Sequence, residues 1–328
     1  MRTTQKTGFA SAFEEDCFKG LTGSPKYLLS KYIYDKKGDK LFQDIMALPQ
    51  YYLTRTEYNI LDSHAADIAQ MFASPKGFDL IELGAGDGQK TKLLLRELTG
   101  QQLDFNYLPV DISENVLQEL EASLKQEIPG LKIKIQQGTY FKTLEKLADF
   151  KSRKKVIMML GSNIGNLLHR DAVEFLSNIS AAMSGEDMLF MGFDQKKHPQ
   201  VILDAYNDHT GVTAAFNKNH LERINSELGG NFKTDEFLHW ETYDPESGTA
   251  KSFLVSKQEQ EVRIEKIGLT VHFDKWETIH TEISQKYDDA VVNWLAEKAG
   301  LEITHFFTDE LEYFKNYIFK KKNKNNSL

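Results

Sequence analysis

Phe78-Asp-Leu-Ile-Glu-Leu-Gly84-Ala-Gly86-Asp-Gly88 is the stretch that decides the fold. A short apolar run that ends in glycine reads as a buried strand. Lys90 to Leu98 follows with helical spacing. Strand, glycine turn and helix together make the unit from which parallel sheets are wound. Tyr107 to Asp111 reads as a second strand, although Pro109 weakens that reading because proline cannot donate to a ladder. Ser113 opens another helix, with Leu117, Leu120 and Leu124 on one face. Leu131 to Gln136 alternates apolar and polar residues as a strand does, and Lys155 to Leu160 is the continuous apolar run of a central parallel strand. Ala172 to Met183 is helical, and Met188 to Gly192 is a further buried strand. From residue 77 to 195 this rhythm predicts an α/β fold with a doubly wound parallel sheet.

The rhythm changes after Asp194. Ala205 to Leu228 has the pattern of one or two helices, and Glu236 to Phe273 has the alternation of an antiparallel sheet. The α/β pattern returns with a helix over Tyr287 to Ala299, ended by Gly300, and strands over Leu301 to Phe307 and Tyr313 to Phe319. The expected organisation is therefore a Rossmann-like domain (60–195 and 286–320) interrupted by an α+β insertion. Residues 1–59 join 196–285 as a substrate-binding cap, and 321–328 form a basic, solubilising tail.

Composition narrows the functional classes. A net charge of −8 argues against an electrostatic grip on nucleic acid. No stretch has the apolar length of a membrane span, and the N-terminal segment lacks the apolar core of a signal peptide. A single cysteine, Cys17, cannot form an internal disulfide and fits a cytoplasmic location. The histidines lack paired metal-ligand spacing, so no metal site is expected. A monomer acting on a small molecule is the expected state.

In a doubly wound sheet, ligands bind beyond the carboxyl ends of the strands. The first such loop is Glu82-Leu-Gly84-Ala-Gly86-Asp-Gly88. Its spacing is GxGxG, and Gln89 stands where a dinucleotide fingerprint needs glycine. With Glu82 two positions before the first glycine, the loop suits S-adenosyl-L-methionine; a dinucleotide site and an ordinary strand-to-helix turn are the competing readings. Asp111, at the end of the second strand, is placed to accept ribose hydroxyl protons or else to cap the next helix. Gly138-Thr139-Tyr140-Phe141 either offers an aromatic face to adenine or packs in the core. Leu160-Gly161-Ser-Asn-Ile-Gly-Asn166 follows the most apolar strand and is expected to face the reacting group. The Asn166 amide offers donor and acceptor to a zwitterionic amino acid, or simply stabilises its turn.

These loops, in this order, resemble the bacterial histidine-specific N-α-methyltransferases that form hercynine, the first step toward ergothioneine. The resemblance covers nearly the whole chain: Tyr32 to Phe42, Leu48 to Glu57, IELGAGDGQKT, YLPVDIS, LGSNIGN, Asp204 to Asn217, Leu269 to Phe273, and Thr281-Glu282-Ile-Ser284. It implies a class I methyltransferase fold with S-adenosyl-L-methionine as cofactor. Glu82, Gly84, Gly86, Lys90, Asp111, Thr139 and Tyr140 would then line the cofactor site. Asn166 and Tyr206 would hold the substrate carboxylate and amine, with Tyr34, Tyr51 and Gly161 beside them, and Tyr51 and Asn166 would orient the reacting nitrogen. Phe42 and Phe216 would shape the pocket, and Glu282 and Ser284 would hydrogen-bond the imidazole. Ser252 stands where characterised histidine enzymes carry a methionine in the substrate pocket, which bears on side-chain selectivity. Thr139 stands where the family usually has an aspartate, which bears on contact with the adenine amine. The same superfamily includes fungal enzymes acting on a prenylated tryptophan. Another aromatic amino acid or a biogenic amine is therefore an alternative substrate, and a non-catalytic adenosylmethionine-binding protein is an alternative of another class.

Overall fold

A computed structural model describes residues 8–138, 143 and 152–322. It begins with helix α1 (Ala12–Thr22), strand β1 (Lys26–Tyr27), α2 (Lys36–Met46) and α3 (Tyr52–Phe72). The alternating stretch follows: β2 (Phe78–Leu83), α4 (Thr91–Gly100), β3 (Phe105–Asp111), α5 (Glu114–Glu127), β4 (Gln136–Gln137), β5 (Lys154–Met159), α6 (His169–Ala182) and β6 (Met188–Asp194). Next come α7 (Pro199–Tyr206), α8 (Val212–Leu228), β7 (Phe237–Asp244), β8 (Thr249–Ser256), β9 (Gln260–Ile264), β10 (Leu269–Phe273) and β11 (Thr278–Gln285). The chain closes with α9 (Asp289–Lys298), β12 (Leu301–Thr308) and β13 (Phe314–Lys321). It divides into two compact units, Met1–Tyr52 with Lys197–Ser284, and Leu53–Lys196 with Gln285–Leu328.

The second unit is built on a seven-stranded sheet of order β12-β13-β6-β5-β2-β3-β4. Pairing is parallel from β6 to β4, while β13 runs antiparallel to both β6 and β12. Alternate side chains of each strand leave on opposite faces, and two cores result. Ile81, Leu83, Ile157 and Met159 join Phe175 and Ile179 of α6 and Val292 and Leu295 of α9 in one core. Leu80, Tyr107, Val156 and Met158 join Ile60, Ile68 and Phe72 of α3 and Leu94 and Leu98 of α4 in the other. The unit is thus a three-layer, Rossmann-like α/β sandwich.

The edge strand departs from expectation. Leu131 to Gln136 has the alternation of a full strand, yet only a bridge at Ile133 and the two residues of β4 pair with β3. Pro109 explains the gap. The Tyr107 N–H donates to the Lys132 carbonyl, so by alternation Pro109 faces the same edge, where it has no donor to offer.

The first unit carries a four-stranded sheet of order β1-β11-β8-β7 and a β9–β10 hairpin. Phe237, Leu254, Ile279, Val262 and Phe273 pack with Leu221 and Ile224 of α8 and Cys17 of α1. α8 starts at Gly211 (φ 80°) and ends at Gly229 (φ 67°), both left-handed positions that glycine adopts freely. The segment read as one or two helices is thus two, α7 and α8. No helix of the described residues is long and apolar enough to cross a membrane.

Candidate active site

The glycine turn after β2 fits the reading that opened the sequence. Gly84, Gly86 and Gly88 all have positive φ (75°, 54° and 67°), a conformation that costs any other residue ~1–2 kcal/mol. The Gly84 N–H donates to the Val110 carbonyl at 2.9 Å, which locks the turn against β3. Asp111, at the end of β3, accepts from the Gly86 N–H at 3.4 Å and the Ser113 N–H at 3.0 Å. One carboxylate therefore joins the glycine turn to the start of α5, where Ser113 itself is the cap, accepting from the Val116 N–H. Among the described residues, no atom lies within 4 Å of where a Cβ would stand on Gly86, which leaves the backbone open to a ligand on that side.

Glu82 was expected at the cofactor, but its side chain turns elsewhere. Residues 80 and 82 share a face of β2, the face covered by α4. The buried Glu82 carboxylate accepts from the Thr91 hydroxyl at 2.6 Å and from the Tyr107 hydroxyl. Burial pushes its pKa up to about 7, against the lowering effect of those two hydroxyls and of Lys90. Glu82 therefore fastens the first turn of α4 to β3 beneath the glycine turn.

Lys90 closes that turn and forms an ion pair with Glu57 of α3, whose side chain is fully buried. Glu57 also accepts from the Gly161 N–H at 2.7 Å and from Asn316 Nδ2 at 2.9 Å. Gly161 has φ 79°, and a Cβ there would lie 3.5 Å from Lys90 Nζ. The loop after β5 then passes through Ser162, whose Oγ accepts from the Asp194 N–H at 2.9 Å. It ends in a short 3-10 turn at Asn166, which is exposed. Thr139 and Tyr140 lie outside the described residues.

In the first unit, five of the residues expected at the substrate form one chain of ring contacts. Tyr34 meets Phe42 edge-on with centroids 5.6 Å apart and Phe216 at 5.4 Å; Phe42 meets Tyr51 at 6.3 Å; Tyr51 meets Tyr206 at 6.1 Å. They come from the residue before the cap of α2 (Tyr34), from within α2 (Phe42), from the segment before α3, from the end of α7 and from α8, so no single local pattern joins them. The Tyr206 hydroxyl and Ser284 Oγ are 2.8 Å apart. Burial, then the charge of Glu282 and the neighbouring Tyr51 and Tyr206, hold the Tyr34 phenol well above its usual pKa, so it remains a neutral hydroxyl. Glu282 thus acts on the cluster electrostatically, and Ser284 acts on it directly.

Ser252 behaves differently. It is buried on β8, opposite Glu241 of β7 in the ladder, and its hydroxyl donates to the buried Glu241 carboxylate at 2.6 Å. Thr281, preceding Glu282, donates to Asn217 Oδ1 at 2.6 Å and lies 3.1 Å from the Ser252 carbonyl. These contacts commit Ser252 to the interior of the unit. Glu57 and Glu241 carried no expected role. The signal for Glu57 was available: it shares a helical face with Leu53, Ile60 and Leu61, and a carboxylate on a buried face needs partners.

Residues 13–321 match the family described as "Histidine-specific methyltransferase, SAM-dependent". The chain belongs to that family. It is 37% identical to the histidine N-alpha-methyltransferase of Mycolicibacterium smegmatis over 301 residues, covering 92% of each protein. Against the protein of the same name from Mycobacterium tuberculosis the identity is 33% over 299 residues, covering 91% of this chain and 92% of the other. It is 29% identical to ergothioneine biosynthesis protein 1 of Schizosaccharomyces pombe, where the match takes in 90% of this chain but 39% of that longer protein. As a member of this family the enzyme is a methyltransferase that uses S-adenosyl-L-methionine. The residues present fit that cofactor: the turn is open at Gly86, and Asp111 stands at the strand end where a ribose is bound in folds of this kind.

Proposed function

We propose that the enzyme methylates the α-amine of free L-histidine, in three successive transfers, to give trimethylhistidine (hercynine). The observation that carries the reading is the convergence of Tyr34, Phe42, Tyr51, Tyr206 and Phe216 into one aromatic cluster bonded to Ser284 and influenced by Glu282. These residues come from elements far apart in sequence, and core packing alone requires neither the hydroxyls nor the carboxylate. The names of the two mycobacterial relatives support the same substrate.

Bound S-adenosyl-L-methionine supplies a methyl group already activated on a sulfonium, so the residues of the chain have mainly to bind and align. Glu282 accepts an imidazole N–H and Ser284 serves the other ring nitrogen, a pairing that an indole, with one N–H and no second ring acceptor, would only half use. Tyr206 holds the amino-acid end, and Tyr51 orients the nitrogen lone pair. The amine must react in its neutral form, which burial beside a cation favours. Water can take the proton, so no strong base is required. The aromatic faces tolerate the methylated ammonium through cation–π attraction of ~0.5–2 kcal/mol. The third transfer ends the series because the quaternary nitrogen has no proton left to lose. The enzyme is taken to act as a cytoplasmic monomer, in keeping with its one thiol, Cys17, which is buried and pushed up to about 12.

Glu282→Ala tests the assignment. Loss of a hydrogen bond to a charged acceptor, worth roughly 1.5–3 kcal/mol, should raise the KM for histidine by about ten- to a hundredfold with kcat less affected. Unchanged histidine kinetics in that variant would remove the basis for histidine recognition at this site.

A further inference from the structure

Glu57 takes no part in the roles assigned above, yet it is a heavily engaged carboxylate of the second unit. Its side chain is fully buried and takes three donors from three separate elements. These are Lys90 Nζ, at the end of the glycine turn; the Gly161 N–H, in the loop after β5; and Asn316 Nδ2, on β13. The fold makes room for it: a Cβ on Gly192 of β6 would run into Glu57 Oε1. A buried carboxylate is expensive unless several donors repay its lost hydration, and here two of the donors belong to ligand-facing loops.

Strand order tells which part of the cofactor those loops meet. Across the sheet the sequence of strands is β5, β2, β3. Asp111 ends β3, on one side of the glycine turn, and takes the ribose side. Lys90 and Gly161 lie toward β5, on the other side of β2. The ribose is the middle of the cofactor, with adenine on one side and the amino-acid chain on the other; with the ribose at Asp111, the amino-acid end and its carboxylate would be the part within reach of the Lys90 ammonium and the Gly161 loop.

We infer that Glu57 is a positioning residue for the cofactor: by fixing Lys90 Nζ and the Gly161 N–H, it sets the enzyme's grip on the amino-acid end of S-adenosylmethionine rather than on its nucleoside. Lys90 has three ammonium protons. Glu57 occupies one direction and holds the remaining donors toward the ligand carboxylate. A freely rotating lysine would lose side-chain entropy on reaching the same position. The inference rests on the cofactor of the family and is independent of the identity of the methyl acceptor.

Two probes separate the ends of the ligand. S-adenosylhomocysteine carries the amino-acid end; 5′-methylthioadenosine has the nucleoside and lacks it. Binding of both would be measured by calorimetry on the intact enzyme and on Glu57→Gln, which keeps the shape of the side chain and removes its charge. Affinity for S-adenosylhomocysteine should fall at least about tenfold, a change of ~1.4 kcal/mol, while that for 5′-methylthioadenosine stays within about twofold. Glu57→Asp, which keeps the charge and withdraws the carboxylate from Lys90 and Gly161, should show the same selectivity, and serves if the glutamine variant does not fold. Equal losses for both ligands would mean that Glu57 supports only the fold of the unit, and unchanged affinity for both would mean that it does not position Lys90. Either result overturns the inference. Whether the wild-type enzyme methylates histidine is read separately and is unaffected by either.

Discussion

Replacing Glu82 by glutamine should remove a pH dependence from the stability of the second unit, the one built on the seven-stranded sheet. Burial raises this carboxyl from 4.5 to about 7, even though the Thr91 and Tyr107 hydroxyls and Lys90 oppose the shift. The native state therefore holds a proton that the unfolded chain releases. The stability this group contributes is fully present below about pH 4.5 and is lost as the pH rises through about 7. At ~1.4 kcal/mol per pH unit, the interval from 4.5 to about 7 amounts to roughly 3 kcal/mol. Glutamine fits the same position with one acceptor and one donor, so Thr91 and Tyr107 can both stay bonded if one hydroxyl turns to accept. Of the three tryptophans, Trp240 and Trp276 are exposed in the other unit, leaving Trp294 as the reporter here. Urea unfolding would be followed by Trp294 fluorescence in a Trp240→Phe, Trp276→Phe background, from about pH 5 to about pH 8. Relative to Glu82→Gln, the protein with Glu82 should lose up to roughly 3 kcal/mol over that range. Parallel pH profiles for the two proteins would refute the reasoning.

Other substitutions probe each unit. Tyr206→Phe removes the hydroxyl that meets Ser284 at 2.8 Å; at ~0.5–1.5 kcal/mol for a hydrogen bond, it should raise the KM for histidine by roughly two- to tenfold in steady-state assays, with the melting temperature little changed. Lys286→Met removes the counter-charge of Asp194 from a pair 2.8 Å apart with both side chains fully buried. Thermal unfolding should show a loss of about 3–5 kcal/mol, because Asp194 would keep its desolvation cost without the ammonium.

The parallel sheet was legible because hydrophobic periodicity reports burial, and β2, β5 and β6 are buried on both faces. Pro109 already signalled a weakness in the ladder of β3, and the structure puts its effect on the edge pairing with β4. The cofactor turn was legible for a similar local reason, since Gly84, Gly86 and Gly88 each need positive φ. Side-chain direction beyond the turn was not. Glu82 looked like a ligand contact by its distance from Gly84, but strand alternation sends it under α4 to Thr91. Ser252 was placed by correspondence with other chains, and its actual partner, Glu241, is a cross-strand neighbour that pairing register alone reveals. Glu57 lay within a quoted motif, but its partners Lys90, Gly161 and Asn316 are distant in sequence. The division between the units falls at Tyr52, earlier than the break expected after residue 59, because α3 is one continuous helix whose Ile60, Leu61, Ile68 and Phe72 pack on the parallel sheet.

The identity of the methyl acceptor can be read directly. The wild-type enzyme would be incubated with S-adenosyl-L-methionine and a panel of amino acids and biogenic amines, histidine and tryptophan among them, and the products resolved by mass spectrometry. Histidine carrying one, two and finally three methyl groups on its α-nitrogen is the expected result. Methylation of another amine with histidine left untouched would contradict it.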